Sequence, residues 1–81
     1  MNIYLISQSV NNDYDTYDSA VVIAEDSEKA RFIHPNGSKD WNGKKGKFDA
    51  WCDASDVTVE LIGISEDSEE KWVVCASFNA G

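Results

Sequence analysis

The sequence predicts an α+β domain in which a four-stranded, mainly antiparallel sheet (β-β-α-loop-β-β) carries one short helix packed on one face. Three observations predict this fold. Four segments are rich in β-branched and aromatic residues. A segment between the second and third of them has a helix-start signal and apolar residues at helical spacing. The length, 81 residues, suits one domain, so we expect residues 1–81 to form a single domain.

The first two predicted strands lie near the start of the chain. Residues 2–6 are apolar on both faces of a strand, which is typical of a central position in a sheet. Residues 9–18 are polar, and the Asn-Asn-Asp run at 11–13 is a turn signal. We therefore expect a long connection between the first strand and a second strand at residues 19–24.

A short helix is predicted at residues 27–34. Asp26 or Ser27 can accept hydrogen bonds from the N–H groups of its first turn. Ala30 and Ile33 are three positions apart, so one face of the helix can pack on the sheet. A proline directly after this segment ends the helix.

The second half of the chain is predicted as a long loop followed by two strands. Residues 36–56 are irregular, and we expect either a loop pinned by its tryptophans or a hidden short element. Residues 57–64 and 71–78 are predicted to be strands that pair with each other as a hairpin around an acidic turn. The core-facing positions predicted for the first of these strands are Val57, Val59 and Leu61.

Charge and cysteine content restrict the class of protein. The formal net charge is -8, which disfavours charge-driven binding to nucleic acid or to an anionic membrane and suits a basic protein surface. No apolar run reaches membrane-spanning length and no secretion signal is apparent, so we expect a cytoplasmic protein without a membrane partner. Cys52 and Cys75 are expected to be reduced and mostly buried; a disulfide between them is the less favoured alternative.

The residues predict neither catalysis nor a metal or cofactor site. The single histidine, His34, is expected at the helix end, where its cation interacts well with the helix dipole. The chain has no glycine-rich phosphate loop, no HExxH motif and no metal-finger spacing. The aspartates of residues 13–18 lack the glycine and the terminal glutamate of a calcium loop. We therefore predict a non-enzymatic protein without a cofactor.

An acidic, tyrosine-rich surface is the leading candidate for binding a partner. Carboxylates on a rigid domain can imitate a phosphate backbone and occupy a basic groove on another protein. Tyrosine provides contact area at little cost in entropy, although Tyr14 and Tyr17 could equally pack at the rim of the core. The predicted partner-binding residues, expected together at one end of the molecule, are Asp13, Tyr14, Asp15, Tyr17, Asp18, Glu25, Asp26 and Glu28.

One loop of this acidic chain is rich in lysine and carries a local positive charge. Residues 39–47 contain four lysines and one aspartate, a local net charge of +3, so the rest of the chain carries -11. The residues of this possible second contact are Lys39, Trp41, Lys44, Lys45 and Lys47. One alternative function is weak single-stranded nucleic-acid binding through this loop. Another is a small-molecule or nucleotide module lined by Trp41, Trp51 and Trp72. A homo-oligomer through an uncovered sheet edge also stays open.

Four runs carry a resemblance to a known family. They are residues 1–8, 14–22 (YDTYDSAVV), 30–35 (ARFIHP) and 76–81 (ASFNAG). Together they look like a widespread family of small uncharacterised bacteriophage and prophage proteins, and the resemblance covers nearly the whole chain. It implies a phage setting, in which small acidic domains are often inhibitors of host defence, including anti-CRISPR proteins. The resulting hypothesis is an inhibitor of a host protein, with residues 14–18 and 78–81 forming one surface patch.

Overall fold

A computed structural model describes residues 1–12, 14–38, 41–47, 49–66 and 73–79. The elements in chain order are β1 (Asn2–Ser7), β2 (Thr16–Ala24), α1 (Ser27–Arg31), a 3-10 helix (Ala54–Asp56), β3 (Thr58–Ile64) and β4 (Cys75–Asn79). The four strands form one sheet in the order β3-β1-β2-β4, and every neighbouring pair is antiparallel. The predicted α+β architecture is confirmed.

The two central strands provide most of the core. Tyr4 and Ile6 of β1 face the same side of the sheet as Ala20, Val22 and Ala24 of β2, and all five side chains are buried. The central position predicted for the first strand is confirmed, because β1 pairs with β2 on one side and with β3 on the other. Strand β2 begins at residue 16, three positions earlier than predicted.

The helix covers this core and is shorter than the sequence predicts. Asp26 caps α1, since its side chain accepts a hydrogen bond from the Lys29 N–H at 2.9 Å. The helix ends at Arg31 because the next backbone N–H groups bond three residues back, with Ile33 N–H donating to Ala30 O at 3.2 Å. Ala30 and Ile33 still reach the core as predicted.

The predicted hairpin between the last two strands is wrong. Strand β3 pairs with β1 and strand β4 pairs with β2, so the two strands lie at opposite edges of the sheet. Strands β1 and β2 supply most of the buried side chains of the core and occupy the centre, whereas β3 and β4 are largely exposed and form the edges. Leu61, predicted to face the core, is 58% exposed because β3 is an edge strand, whereas Val57 is buried.

The irregular segment between α1 and β3 is pinned as predicted. Trp51 is fully buried, and the half-buried Trp41 packs against the core. The 3-10 helix is the hidden short element expected in this region. Cys52 and Cys75 are both free thiols; Cys52 is buried, but Cys75 is exposed, contrary to prediction. In the described part of the chain, no helix has the length and apolar character needed to cross a membrane.

Candidate functional site: a cleft between two loops

A cleft lies at the end of the sheet where β1 ends and β2 begins. Its volume is about 280 Å³. One wall comes from the connection between β1 and β2, and the other from the segment before Trp51. The residues that line this surface, which we call the loop cleft, are Asn11, Tyr14, Asp15, Thr16, Lys45, Lys47 and Asp49. Acidic, basic and aromatic side chains therefore share one site.

A long-range backbone contact brings the two walls together. The contact lies at the end of the sheet where β1 ends at Ser7. There the Tyr17 N–H of β2 donates to Ala50 O at 2.9 Å. The N–H of Gln8 donates to Asp18 O at 3.1 Å and continues the pairing of β1 with β2. The lysine-bearing loop is thereby fixed beside the tyrosine-bearing loop.

The side chain of Gln8 fixes the shape of the first wall. Its Oε1 accepts the N–H groups of Val10 at 2.9 Å and Asn11 at 2.7 Å. Its Nε2 donates to the carbonyl oxygens of Asn11 and Tyr17, both at 2.8 Å. Gln8 is buried, and these four hydrogen bonds tie Val10 and Asn11 to Tyr17 at the start of β2.

Asn11 joins the first wall to the second. Its Nδ2 donates to Trp51 O at 2.8 Å and to Asp49 O at 3.2 Å. Like Gln8, Asn11 is buried. The buried Asn11 side chain therefore holds the two walls of the loop cleft together, and this contact does not have to form when a ligand binds.

A buried His–Asp pair supports the second wall. His34 Nε2 donates to Asp49 Oδ1 at 2.5 Å, and His34 Nδ1 accepts the Asn36 N–H at 3.1 Å. His34 is buried beyond the end of α1, so its predicted role at the helix dipole is wrong. Both ring nitrogens are engaged, and we assign His34 a structural role.

Asp49 is held in its ionised form. Burial raises the pKa of its carboxyl group, but the hydrogen bond from His34 lowers it, as do the N–H groups of Gly46 and Trp51. The net result is a pKa below the usual 3.8. The carboxylate therefore stays charged at neutral pH and organises the loop that carries Lys45 and Lys47.

The predicted partner-binding residues divide into separate groups. Tyr14 and Asp15 line the loop cleft, and Tyr14 is 79% exposed. Asp15 has a φ of 59°, a left-handed conformation that aspartate tolerates in turns. Asp18 is exposed on β2 at an irregularity in its pairing with β4. Asp13 lies outside the described residues.

The Tyr17 side chain packs against neighbouring rings and does not project into solvent as a free contact residue. Its ring lies edge-on to Phe78, with the ring centroids 4.8 Å apart, and edge-on to His34 at 6.4 Å. It also packs against the core, so the rim-packing alternative describes Tyr17. Thr16 pairs with Asn79 and Tyr17 pairs with Phe78 across β2 and β4. This pairing brings residues 16–17 and 78–79 of the predicted patch together. Residues 80–81 lie outside the described range.

The remaining acidic residues do not lie at the same end. Glu25 follows the far end of β2, seven positions from Asp18 and so roughly 23 Å away along a strand. Glu25 pairs with Lys29 at 2.5 Å, and Glu28 pairs with Arg31 at 3.5 Å. Together with Asp26, which caps α1, these carboxylates have local structural partners. The grouping of all the acids at one end is therefore wrong.

The lysine loop contributes to two surfaces. Lys45 and Lys47 line the loop cleft, so the acidic and basic segments are not two distinct ends of the molecule. Lys44 borders a second groove of about 360 Å³, whose lining also includes Phe32. Trp41 is half-buried and its Nε1 donates to Lys44 O at 3.0 Å. Lys39 lies outside the described residues.

Sequence reasoning missed Gln8, Asn11 and Asp49. Gln8 and Asn11 follow an apolar strand in a polar segment, where solvent exposure is the usual expectation. Asp49 reads as an ordinary loop aspartate, and its partner His34 lies 15 residues earlier. The one available signal was an isolated histidine after a short helix, which gave no indication of its partner.

Two forms of chemistry find no support in the described residues. Burial raises the pKa of the Cys52 thiol to about 11, and the charges of Asp56, Asp53 and Asp49 add to this effect, so Cys52 is not a thiolate at neutral pH. Within the ranges that the structure describes, no three His, Cys, Asp or Glu residues are grouped so that they could hold a metal ion.

Comparison with known proteins adds no assignment. A scan against protein-family models found no match, and searches of curated proteins and of solved structures found none.

Proposed function

We propose that this protein is a non-enzymatic binding protein that uses the loop cleft to contact a host protein. The observation that carries the proposal is Tyr14, a largely exposed aromatic residue on a loop whose base is held by buried amides. Exposed aromatic residues are frequent anchors in protein interfaces. A phage-encoded inhibitor that acts in the host cytoplasm, the function implied by the family resemblance, fits this arrangement.

The composition of the surface favours a protein as the partner. Val10, on the same loop as Tyr14, is 63% exposed. Within the loop cleft, Asp15 and Lys45 provide charged groups beside Tyr14. An apolar centre with a polar rim is the usual anatomy of a protein–protein interface. The pre-formed loop lowers the entropy that binding must overcome.

Charge indicates the kind of partner surface. The net charge of -8 attracts a basic protein, and the exposed Asp15 and Asp18 can contact its cations. Lys45 and Lys47 in the same cleft would contact an acidic side chain of the partner. Opposite charges placed side by side fix the register of docking more strictly than a uniformly acidic patch would.

The two alternatives have less support. Trp51 is fully buried and Trp41 is half-buried with its Nε1 bonded to the backbone, so neither presents an open stacking surface to a nucleotide. Trp72, the third tryptophan of this alternative, lies outside the described residues. Lys45 and Lys47 share their cleft with the carboxylates of Asp15 and Asp49, which repel phosphate groups. A thermal-shift screen with nucleotides and single-stranded DNA would reveal either ligand as a raised melting temperature.

The test is affinity capture from the host bacterium with matched variants. The tagged protein should recover one host protein, and Tyr14→Ala should weaken that interaction by roughly 30-fold, as expected for an interface anchor. Ile64→Ala, an exposed change at the opposite end of the sheet where β3 pairs with Asn2, should bind as the unchanged protein does. Binding should also weaken as salt increases. Equal capture by the Tyr14→Ala variant would refute the proposal.

A further inference from the structure

Strand β4 forms one edge of the sheet. Strand β4 pairs with β2 on one side, and within the described ranges no other strand pairs with its second side. All five of its residues are exposed. Such an edge presents backbone N–H and C=O groups that can pair with another strand.

Strand β4 lacks the features that usually protect an edge. Its sequence, Cys-Ala-Ser-Phe-Asn, has no charged residue and no proline, in a chain of which 27% is charged. The opposite edge strand, β3, carries Glu60 and is irregular where Leu61 and Gly63 pair with successive residues of β1. Charges and bulges on edge strands prevent pairing between molecules. The edge of β3 is therefore protected and that of β4 is not.

We propose that β4 pairs antiparallel with β4 of a second copy of this chain, so that two sheets join into one of eight strands. With all five residues paired around a two-fold axis, Ser77 lies opposite its own counterpart. Phe78 then lies opposite Ala76 of the second copy, and Cys75 opposite Asn79. Phe78 is 47% exposed in the single chain, and a small residue across from it leaves room for its ring.

Charge favours a second copy as the occupant of this edge. A basic host protein is attracted to carboxylates, and β4 offers none. Self-pairing of an uncharged strand places no like charges directly opposite each other. The net charge of -8 on each copy still produces long-range repulsion, which salt screens. The dimer should therefore become stronger as salt increases, whereas binding to a basic partner should become weaker.

Disulfide trapping tests the pairing and its register. In a Cys75→Ser background, Ser77→Cys should give a cross-linked dimer with oxidised glutathione, because directly opposite Cβ atoms lie about 5 Å apart. Asn79→Cys in the same background is the control. Its counterpart would be four strand positions away, roughly 13 Å, beyond the reach of a disulfide. Equal cross-linking of the two variants would refute the register.

Light scattering tests the dimer without a cross-link. The unchanged protein should have the mass of a dimer, and Ser77→Lys should have the mass of a monomer with an unchanged circular dichroism spectrum, since it places two cations opposite each other. Thr58→Lys on β3 should remain dimeric. A monomer at every protein concentration would overturn the proposal. The Tyr14→Ala variant should remain a dimer, so this result is independent of the proposed function.

Discussion

Asp49 shows how one side chain can organise a functional surface. Its carboxylate accepts hydrogen bonds from His34 Nε2 at 2.5 Å and from the Trp51 N–H at 3.2 Å, while its carbonyl oxygen accepts one from Asn11. These contacts join the buried histidine, the buried tryptophan and the first wall of the loop cleft. The residue that borders the cleft is therefore also the residue that holds its second wall.

Replacing Asp49 with alanine should destabilise the fold. Asp49→Ala leaves His34 Nε2 buried without its acceptor, and we expect the free energy of unfolding at neutral pH to fall by about 2 kcal/mol. Urea denaturation measures this change. The control, Asp56→Ala, removes an exposed carboxylate and should change the free energy by no more than about 0.5 kcal/mol.

The stabilising effect of Asp49 should depend on pH. The pKa of Asp49 in the folded protein lies below its usual 3.8, so its contribution to stability is present above that pH. The contribution is lost as the pH falls through the lower folded-state value. The difference between the unchanged protein and Asp49→Ala should therefore shrink in acid below pH 3.8. A difference that stays constant over this range would contradict the structural role of the ionised carboxylate.

The connection between β1 and β2 is the element that carries Tyr14. Its shape depends on Gln8, because one buried side chain satisfies backbone groups of three other residues, Val10, Asn11 and Tyr17. These bonds hold Val10 and Asn11 on one side of Tyr14 and Tyr17 on the other. The binding surface is therefore a property of the whole connection.

Gln8→Ala should loosen this element. Buried backbone groups lose their partners, and we expect the free energy of unfolding to fall by about 2 kcal/mol or more. Amide hydrogen exchange at Val10 and Asn11 should become faster. Asn12→Ala is the matched control, since Asn12 is exposed and its side chain makes one bond within the loop, to Ser9 O. Unchanged exchange in Gln8→Ala would show that the loop is held by other contacts.

The sequence predicts these elements better than it predicts their arrangement. The four strands, the Asp26 cap and the central position of the first strand all follow from local patterns of polarity and capping. The pairing of the last two strands does not, because the alternation in residues 58–64 is the same whether β3 pairs with β1 or with β4. The short acidic turn favours a hairpin, but β1 and β2, which supply most of the buried core, separate β3 from β4.

The candidate site was predictable only in part. The composition of residues 14–18 indicated Tyr14 and Asp15, and the lysine run indicated Lys45 and Lys47. Their meeting depends on the bond between the Tyr17 N–H and Ala50 O, a contact across 33 positions that leaves no local pattern. Glu25, Asp26 and Glu28 are predicted at the same end as residues 13–18, because proximity in the sequence does not show that the nine-residue strand β2 separates the two groups.

At the scale of the whole molecule, the two proposed contacts use different parts of the surface and respond oppositely to salt. The loop cleft combines charge with exposed apolar side chains and should bind a basic host protein more weakly as salt increases. The uncharged edge of β4 should pair more strongly with a second copy under the same conditions. Self-association across β4 would leave Tyr14 of each copy outside the paired strands, so one dimer could engage two partner molecules.

Site-specific photo-cross-linking in the host tests the central claim most directly. A benzophenone amino acid at position 14 should form a covalent adduct with one host protein, because Tyr14 is predicted to lie at the centre of the interface. The same amino acid at position 60, exposed on β3, should give no such adduct. An adduct from position 60 but none from position 14 would contradict the account.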